Sequence, residues 1–434
     1  MKLRYSIVSA LLGLFAAFII SCAQENTANN PAQPSPQTEK RVNNRRQMQK
    51  PYVVMVSIDG YRHDYTKKYN PPNLTQLSEN GVQATSLRPS YPSLTFPNHY
   101  TLVTGLTPAH HGIIGNNFYD KNRKESYSMM NGKNVYDGTW YGGVPLWRAV
   151  SLSGMLSATL YWVGSEAEIA GGKADYVQPW SPPLDHSQRV DQVIKWLSLP
   201  EENRPHFVTL YFSAVDHAGH IASPDSNEVK NAVLDVDSAI GKLRDFARHA
   251  QPPVNIVIVS DHGMKALESD KFIKLYEHID LKQFKIEERG SMVQLYSENT
   301  NLIEETIAQI NKIGHIKAYK RADVPEKLQY RDSNRIGDIV VVADAPYYIR
   351  VVPKEVQMGT PNAQASGSGG THGWDPEDQD MHGIFYAEGP NFKNNMKIST
   401  FHNIHIYPMM LDLLGISKLP SDGDRSVLHD ILVK

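Results

Sequence analysis

Three Asp and three His occupy positions from which they could share metal ions. Asp59 follows the apolar run 52–58, Asp216-x-x-x-His220 follows 207–213, Asp261-His262 follows 255–259, and His372 lies just beyond a Gly-rich stretch, 365–371. The Asp216–His220 spacing puts a carboxylate and an imidazole one helical turn apart or around a tight loop, and adjacent Asp261 and His262 can splay toward one ion at a strand end. Zinc takes imidazole nitrogen and carboxylate oxygen readily, and catalytic zinc sites keep a position open. Six ligands divide naturally between two ions, and a pair about 4 Å apart can clamp both the attacking and leaving oxygens of a phosphoryl transfer. A nucleophile is also on hand. Thr95 stands before Phe96-Pro97 and a stretch with apolar groups at helical spacing. Thr is a good N-cap and Pro suits a first helical turn. The N–H groups and dipole of a helix start favour negative charge, so a hydroxyl held there could be stabilised as an alkoxide and attack phosphorus. Taken singly, each of these residues is also what an ordinary loop or helix cap looks like. The ordered set is far more specific than any member. His99, His110, His111, His217, His382, His402 and His405, among the 17 His, read as structural.

The segments that must position these residues alternate between strand and helix. The runs 52–58, 157–163, 207–213 and 255–259 have the continuous apolar character of strands buried on both faces. Helical patterns cover 72–80, 186–199 and 227–250. This alternation predicts a doubly wound, mostly parallel α/β fold, whose ligands bind beyond the carboxyl ends of the strands. Between His262 and His372 the pattern changes to short strands around a helix near 302–313, which predicts a small inserted α+β cap over roughly 270–360. No Walker loop, GxGxxG, CxxC or HExxH motif occurs.

The chain has 434 residues and a net charge of −2, so no nucleic-acid-coating surface is expected. Lys2 and Arg4 precede an apolar stretch, 6–20, that ends in Ser21-Cys22, and Cys22 is the only cysteine. This reads as a lipoprotein signal peptide over 1–21, with cleavage before Cys22 and lipid on its sulfur; an ordinary signal peptide containing a Cys is the alternative. Residues 22–50, rich in Asn, Gln, Pro and Ser and then basic, read as a flexible tether. The catalytic domain is expected over 51–434, in an exported periplasmic or outer-membrane lipoprotein of a bacterium.

The motifs Val56-Ser-Ile-Asp-Gly-Tyr-Arg62, the Thr95 stretch, Val215-Asp-His-Ala-Gly-His220, Val259-Ser-Asp-His-Gly-Met264 and Gly370-Thr-His-Gly-Trp374 resemble the nucleotide pyrophosphatase/phosphodiesterase family of the alkaline phosphatase superfamily. The resemblance runs from about residue 51 nearly to the end. It implies two zinc ions, one held by Asp216, His220 and His372, the other by Asp59, Asp261, His262 and the Thr95 oxygen. It also implies that Asn116 bonds a non-bridging phosphate oxygen and that Thr95 forms a phosphothreonine intermediate. Phe96, Trp162 and Trp180 would hold the substrate, Phe96 and Trp180 by stacking on a nucleobase. Thr-type monoesterases of the superfamily carry a Lys-x-Arg pair in the region where this chain, between Ser151 and Trp180, has none. The implied reaction is hydrolysis of phosphodiester or pyrophosphate bonds in a small nucleotide, without stable nucleic-acid binding. Monoester hydrolysis, a lipid-headgroup diester and a catalytically dead binding protein are the alternatives.

Overall fold

The computed structural model describes residues 41–180, 183–352 and 369–433. The signal peptide, Cys22 with its lipid, most of the tether, and the Gly-rich run up to residue 368 lie outside the described residues. Strands β1 (Tyr52–Ile58), β2 (Val82–Ala84), β3 (Ser157–Leu160), β4 (Tyr176–Gln178), β5 (Phe207–Phe212) and β6 (Val254–Val259) belong to one large sheet. Four strands of the insertion follow: β7 (Lys285–Glu287), β8 (Met292–Tyr296), β9 (Ile316–Lys320) and β10 (Ile339–Ala343). Then β11 (Phe385–Glu388) and β12 (Met396–Ile398) return to the large sheet. Its order is β12-β2-β11-β6-β1-β5-β3-β4, and only β11 runs against the rest. This is the doubly wound, mostly parallel α/β architecture the alternation of strands and helices predicts.

β1 sits at the centre, paired in parallel with β5 (Val53 opposite Phe207) and with β6 (Tyr52 opposite Val254). All its residues are buried, as its unbroken apolar sequence requires of a strand covered on both faces. Val53 and Met55 pack into one core with the helices Thr95–Thr104, Leu146–Leu152 and Ile406–Leu413. Val54 and Val56 face the other way, because side chains alternate along a strand. A second helix layer packs together from Pro72–Asn80, His186–Leu197 and Asn227–His249. The insertion forms its own antiparallel sheet, β7-β8-β10-β9, whose core includes Leu295, Ile310, Ile339 and Val341.

The tether expected to run to residue 50 is instead fastened to the body from Arg41 onward. Arg41 donates to the Asp175 carboxylate and to the carbonyls of Ser151 at 3.0 Å and Met155 at 2.9 Å. Asn43 is 1% exposed; its amide donates to the carbonyls of Glu201 and Arg204 and accepts from the Leu156 N–H. Composition does not reveal this, since one buried amide satisfying backbone groups can dock a polar segment with no apolar run.

Candidate active site

The carboxyl ends of β1, β5 and β6 meet at one edge, and each delivers acidic or imidazole groups there. Gly60 makes the approach possible. Its φ is +66°, and a Cβ on it would stand 2.8 Å from the Asp216 Cα and Cβ, so only glycine lets the end of β1 lie against the segment after β5. The Gly60 N–H donates to Asp261 Oδ1 at 3.2 Å, tying the β1 turn to the β6 turn.

The three imidazoles share one orientation rule. Nδ1 of His220 lies 2.9 Å from the Gly370 carbonyl, Nδ1 of His262 lies 2.8 Å from the Gly263 carbonyl, and Nδ1 of His372 lies 2.8 Å from the Ser93 carbonyl. A carbonyl only accepts, so each Nδ1 carries the proton and each Nε2 offers a lone pair. Backbone-held histidines of this kind are what metal sites use to fix the tautomer. His262 Nε2 is 3.0 Å from Asp261 Oδ2 and 3.5 Å from Asp59 Oδ1. Asp216 Oδ1 is 3.6 Å from His372 Nε2 and 3.4 Å from His220 Nε2, and the two ring nitrogens are 3.2 Å apart. Two donor groups result, Asp59–Asp261–His262 and Asp216–His262–His372, with His220 beside the second.

The acidic oxygens fit a cation better than they fit each other. Asp59 Oδ1, Asp216 Oδ1 and Asp261 Oδ2 are buried with no aligned hydrogen-bond donor. Burial, then the charges of Asp261 and Asp216, push the Asp59 carboxyl well above its usual range. Burial also raises Asp261 and Asp216, but imidazoles outweigh it: His262 and His99 hold Asp261 low, and His220 with His372 brings Asp216 to about 2. Burial and the neighbouring His262 depress His372 to about 3. A divalent cation in this position would keep all three carboxylates ionised and all three imidazoles neutral.

Thr95 is the first residue of its helix, with Leu94 as the N-cap and no capping bond from a side chain. The expected capping role is therefore absent, and the hydroxyl is left to the site, 3.2 Å from His262 Nε2. Asn116 Oδ1 accepts from the Phe96 N–H at 3.0 Å. That bond fixes the amide, because a main-chain N–H must meet the oxygen. It also consumes the Phe96 N–H. Pro97 has none to give, so the helix start supplies fewer anion-binding groups than its dipole suggests.

Three further residues support these groups: Tyr211 and Glu288, which the sequence did not single out, and His99, which it read as structural. Tyr211, inside an ordinary-looking core strand, donates to Asp59 Oδ2 at 2.6 Å. His99 is fully buried, with Nδ1 2.9 Å from the Thr95 carbonyl and 3.2 Å from Asp261 Oδ2, consistent with a supporting rather than ligating role. Glu288, from the insertion, accepts from the Asn116 N–H at 2.8 Å. Tyr211 and Glu288 belong to no motif and are brought here by the folded chain alone, whereas His99 lies one helical turn after Thr95.

A cleft of about 560 Å³ opens over Asp59, Thr95 and Asp216. Phe96, Trp162 and Trp180 line it, together with Tyr161, Val163, Glu166, Met129, Met130, Val135 and Tyr136. The aromatic residues differ in availability. Trp162 is 3% exposed, and its indole donates to the His99 carbonyl at 3.0 Å, so it forms a wall rather than a free surface. Trp180 is 46% exposed and stands edge-on to Tyr161, with centroids 5.0 Å apart. Phe96 is half-buried, 6.4 Å from the Tyr127 ring.

Residues 53–375 match the family model described as type I phosphodiesterase / nucleotide pyrophosphatase. The chain belongs to that family. It is 33% identical over 395 residues to human ectonucleotide pyrophosphatase/phosphodiesterase family member 1, covering 88% of this chain and 42% of the relative. It is 32% identical over 392 residues to venom phosphodiesterase of Naja atra, covering 88% of this chain and 46% of the relative. The chain thus spans about half the length of the curated relatives it matches. Murine ectonucleotide pyrophosphatase/phosphodiesterase 5, solved as an inactive Thr-to-Ala variant in complex with AMP, superposes with a TM-score of 0.81 at 27% identity, covering 88% of this chain and 100% of that one. Its human counterpart gives 0.81 at 28% identity, with 89% and 100% covered. The alkaline-phosphatase-like fold expected from the motifs is the fold of these family members. Among the described residues, no helix is long and apolar enough to cross a membrane.

Proposed function

We propose that the chain hydrolyses phosphodiester or pyrophosphate bonds of small nucleotides through a covalent intermediate on Thr95. Asp216, His220 and His372 would hold one zinc ion, and Asp59, Asp261, His262 and the Thr95 oxygen a second. These ions, when bound, supply Lewis-acid neutralisation of the attacking and leaving oxygens and activation of water. The chain's own residues do the rest. Thr95 Oγ attacks phosphorus, the P–O bond to the leaving group breaks opposite it, and the phosphoryl half stays on the threonine. Asn116 Nδ2 donates to a non-bridging oxygen as charge develops there. Water then cleaves the Thr95 ester, restoring the hydroxyl and releasing a nucleoside monophosphate. The inactive Thr-to-Ala form of the murine relative, with AMP bound, supports this division of roles.

The observation that carries the substrate class is the composition of the cleft. Aromatic and methionine side chains line it, and no Lys or Arg is among its described lining residues. A flat base suits such walls, since every base offers a π-face and stacking is worth about 1–3 kcal/mol. A dianionic monoester would find no extra positive charge there, which favours diesters over the alkaline phosphatase reaction. The test compares kcat/KM on an aryl ester of a nucleoside monophosphate, a bis-aryl phosphate, an aryl monophosphate and a choline-headgroup phosphodiester. The nucleotide ester should lead. Preference for the aryl monophosphate or for the choline ester would replace this reading.

The family's named ectoenzymes and the charged, apolar start of the chain together support export. A periplasmic or outer-membrane lipoprotein of a bacterium, anchored through lipid on Cys22, is part of the same proposal. Replacing Cys22 with Ala should release the protein into the aqueous phase of a detergent partition, and unchanged partitioning would remove the anchor.

A further inference from the structure

The group that holds Asn116 comes from the insertion. Glu288 follows β7, is 8% exposed, and directs Oε2 at the Asn116 N–H at 2.8 Å and the Asn117 N–H at 3.0 Å. Gly115 has no side chain in the way; a Cβ on it would lie 2.8 Å from that same oxygen. Glu288 itself has φ of +54°, a left-handed conformation that residues other than glycine seldom adopt. Among the described residues no Lys or Arg forms an ion pair with it, and the titratable groups around it are the phenols of Tyr296, Tyr330 and Tyr348. A buried carboxylate without a counter-cation, aimed at two consecutive backbone N–H groups, is a costly arrangement unless the position of that backbone matters.

We propose that Glu288 is a positioning residue for catalysis, through which the inserted subdomain fixes the Asn116 amide against the phosphate; this rests on reading Asn116 as the phosphate contact. The connection is continuous. Glu288 holds the Asn116 backbone and Asn116 Oδ1 holds the Phe96 N–H beside Thr95, so the amide that would meet the phosphate is fixed at both ends. A second tie runs in the same direction, from Ser291 Oγ to the His372 carbonyl at 3.1 Å. The insertion is therefore part of the catalytic frame and not only a cover. Burial raises the Glu288 carboxyl to about 7 against the pull of the Asn117 and Asn116 N–H groups, in keeping with an uncompensated acceptor.

The test is a double-mutant cycle on the metal-loaded enzyme. Asn116→Ala should lower kcat on both a nucleotide ester and a bis-aryl phosphate by roughly 10²-fold, the usual effect of losing one preorganised donor. Glu288→Ala should cost roughly 10-fold in kcat with KM little changed, and Glu288→Gln, which keeps an acceptor oxygen, should recover most of it. In the Asn116→Ala background Glu288→Ala should cost less than about 2-fold, because nothing remains to position. An equal loss in both backgrounds, or no loss in either, overturns the proposal. Hydrogen exchange separates this outcome from failure of the functional reading. The Asn116 and Asn117 amides should exchange faster in Glu288→Ala than in the parent, whatever substrate is turned over, and unchanged exchange would refute the hold itself.

Discussion

Replacing Tyr211 with Phe removes one oxygen atom and leaves every ring contact in place. Tyr211 packs edge-on to His99, with centroids 5.2 Å apart, and lies 6.0 Å from the Trp180 ring, contacts that a phenyl ring retains. What is lost is the 2.6 Å bond to Asp59 Oδ2. Asp59 is 2% exposed, so water does not replace that donor freely. Hydrogen bonds to charged groups are worth about 1.5–3 kcal/mol. Burial and the charges of Asp261 and Asp216 already raise the Asp59 carboxyl, and the Tyr211 bond opposes them. Its removal makes protons stronger competitors for the oxygen that a metal would use. Loss of such a supporting partner typically lowers metal affinity or activity about 10–100-fold, which agrees with the hydrogen-bond range. The assay is zinc competition with a chelator at neutral and mildly acidic pH, beside kcat/KM at saturating zinc. The deficit should widen as pH falls. Zinc affinity within about twofold of the parent at both pH values would refute the placement of Asp59 in the metal set.

Asp261→Ala removes charge from the proposed metal centre and should cost on the order of 10³-fold in rate, with about two zinc per chain in the parent falling on metal analysis of the variant; full activity after exhaustive chelation would contradict both. Trp180→Ala should lower kcat/KM on nucleotide esters roughly 10-fold while sparing a bis-aryl phosphate, since the ring is half-exposed and gives stacking area to a base. Equal losses would make it a fold residue. The Glu288 carboxyl, raised to about 7 in the folded state, binds a proton there more tightly than in the unfolded chain. Its stabilising contribution is therefore full below the unfolded carboxyl value and lost as pH rises through 7. The stability difference between parent and Glu288→Gln should shift by on the order of 2 kcal/mol from pH 5 to pH 8, against the parent, in denaturant melts; a flat difference would contradict the shift.

The fold, and with it the meeting of Asp59, Asp216 and Asp261 at one edge of the sheet, was legible in the sequence for a common reason. Asp59, Asp216 and Asp261 each follow a run of apolar residues, and a doubly wound sheet brings the carboxyl ends of such runs to one edge. The donor clusters differ in one detail from the expected division, because His262 is within reach of both while His220 stands beside the second. Supporting residues were not legible. Tyr211 looks like any aromatic in a strand, and Glu288 like any acid in a loop, because their roles come from contacts between segments 152 and 172 residues apart. Thr95 was placed at the correct helix start but in the wrong capping role, since Leu94 carries the extended conformation that precedes the first turn. Docking of residues 41–50 leaves no mark on the composition, because hydrogen bonds rather than an apolar pattern fasten them.

The central claim is that Thr95 carries the phosphoryl group during turnover. Zinc-loaded enzyme should be mixed with a nucleoside monophosphate aryl ester, quenched with acid within the first turnover, digested and analysed by mass spectrometry. A nucleoside phosphoryl group should be found on Thr95, should disappear on a longer chase, and should be absent from Thr95→Ala, which should turn over almost nothing while remaining folded. Unmodified Thr95 throughout a productive first turnover, with Thr95→Ala as active as the parent, would mean that water attacks phosphorus directly.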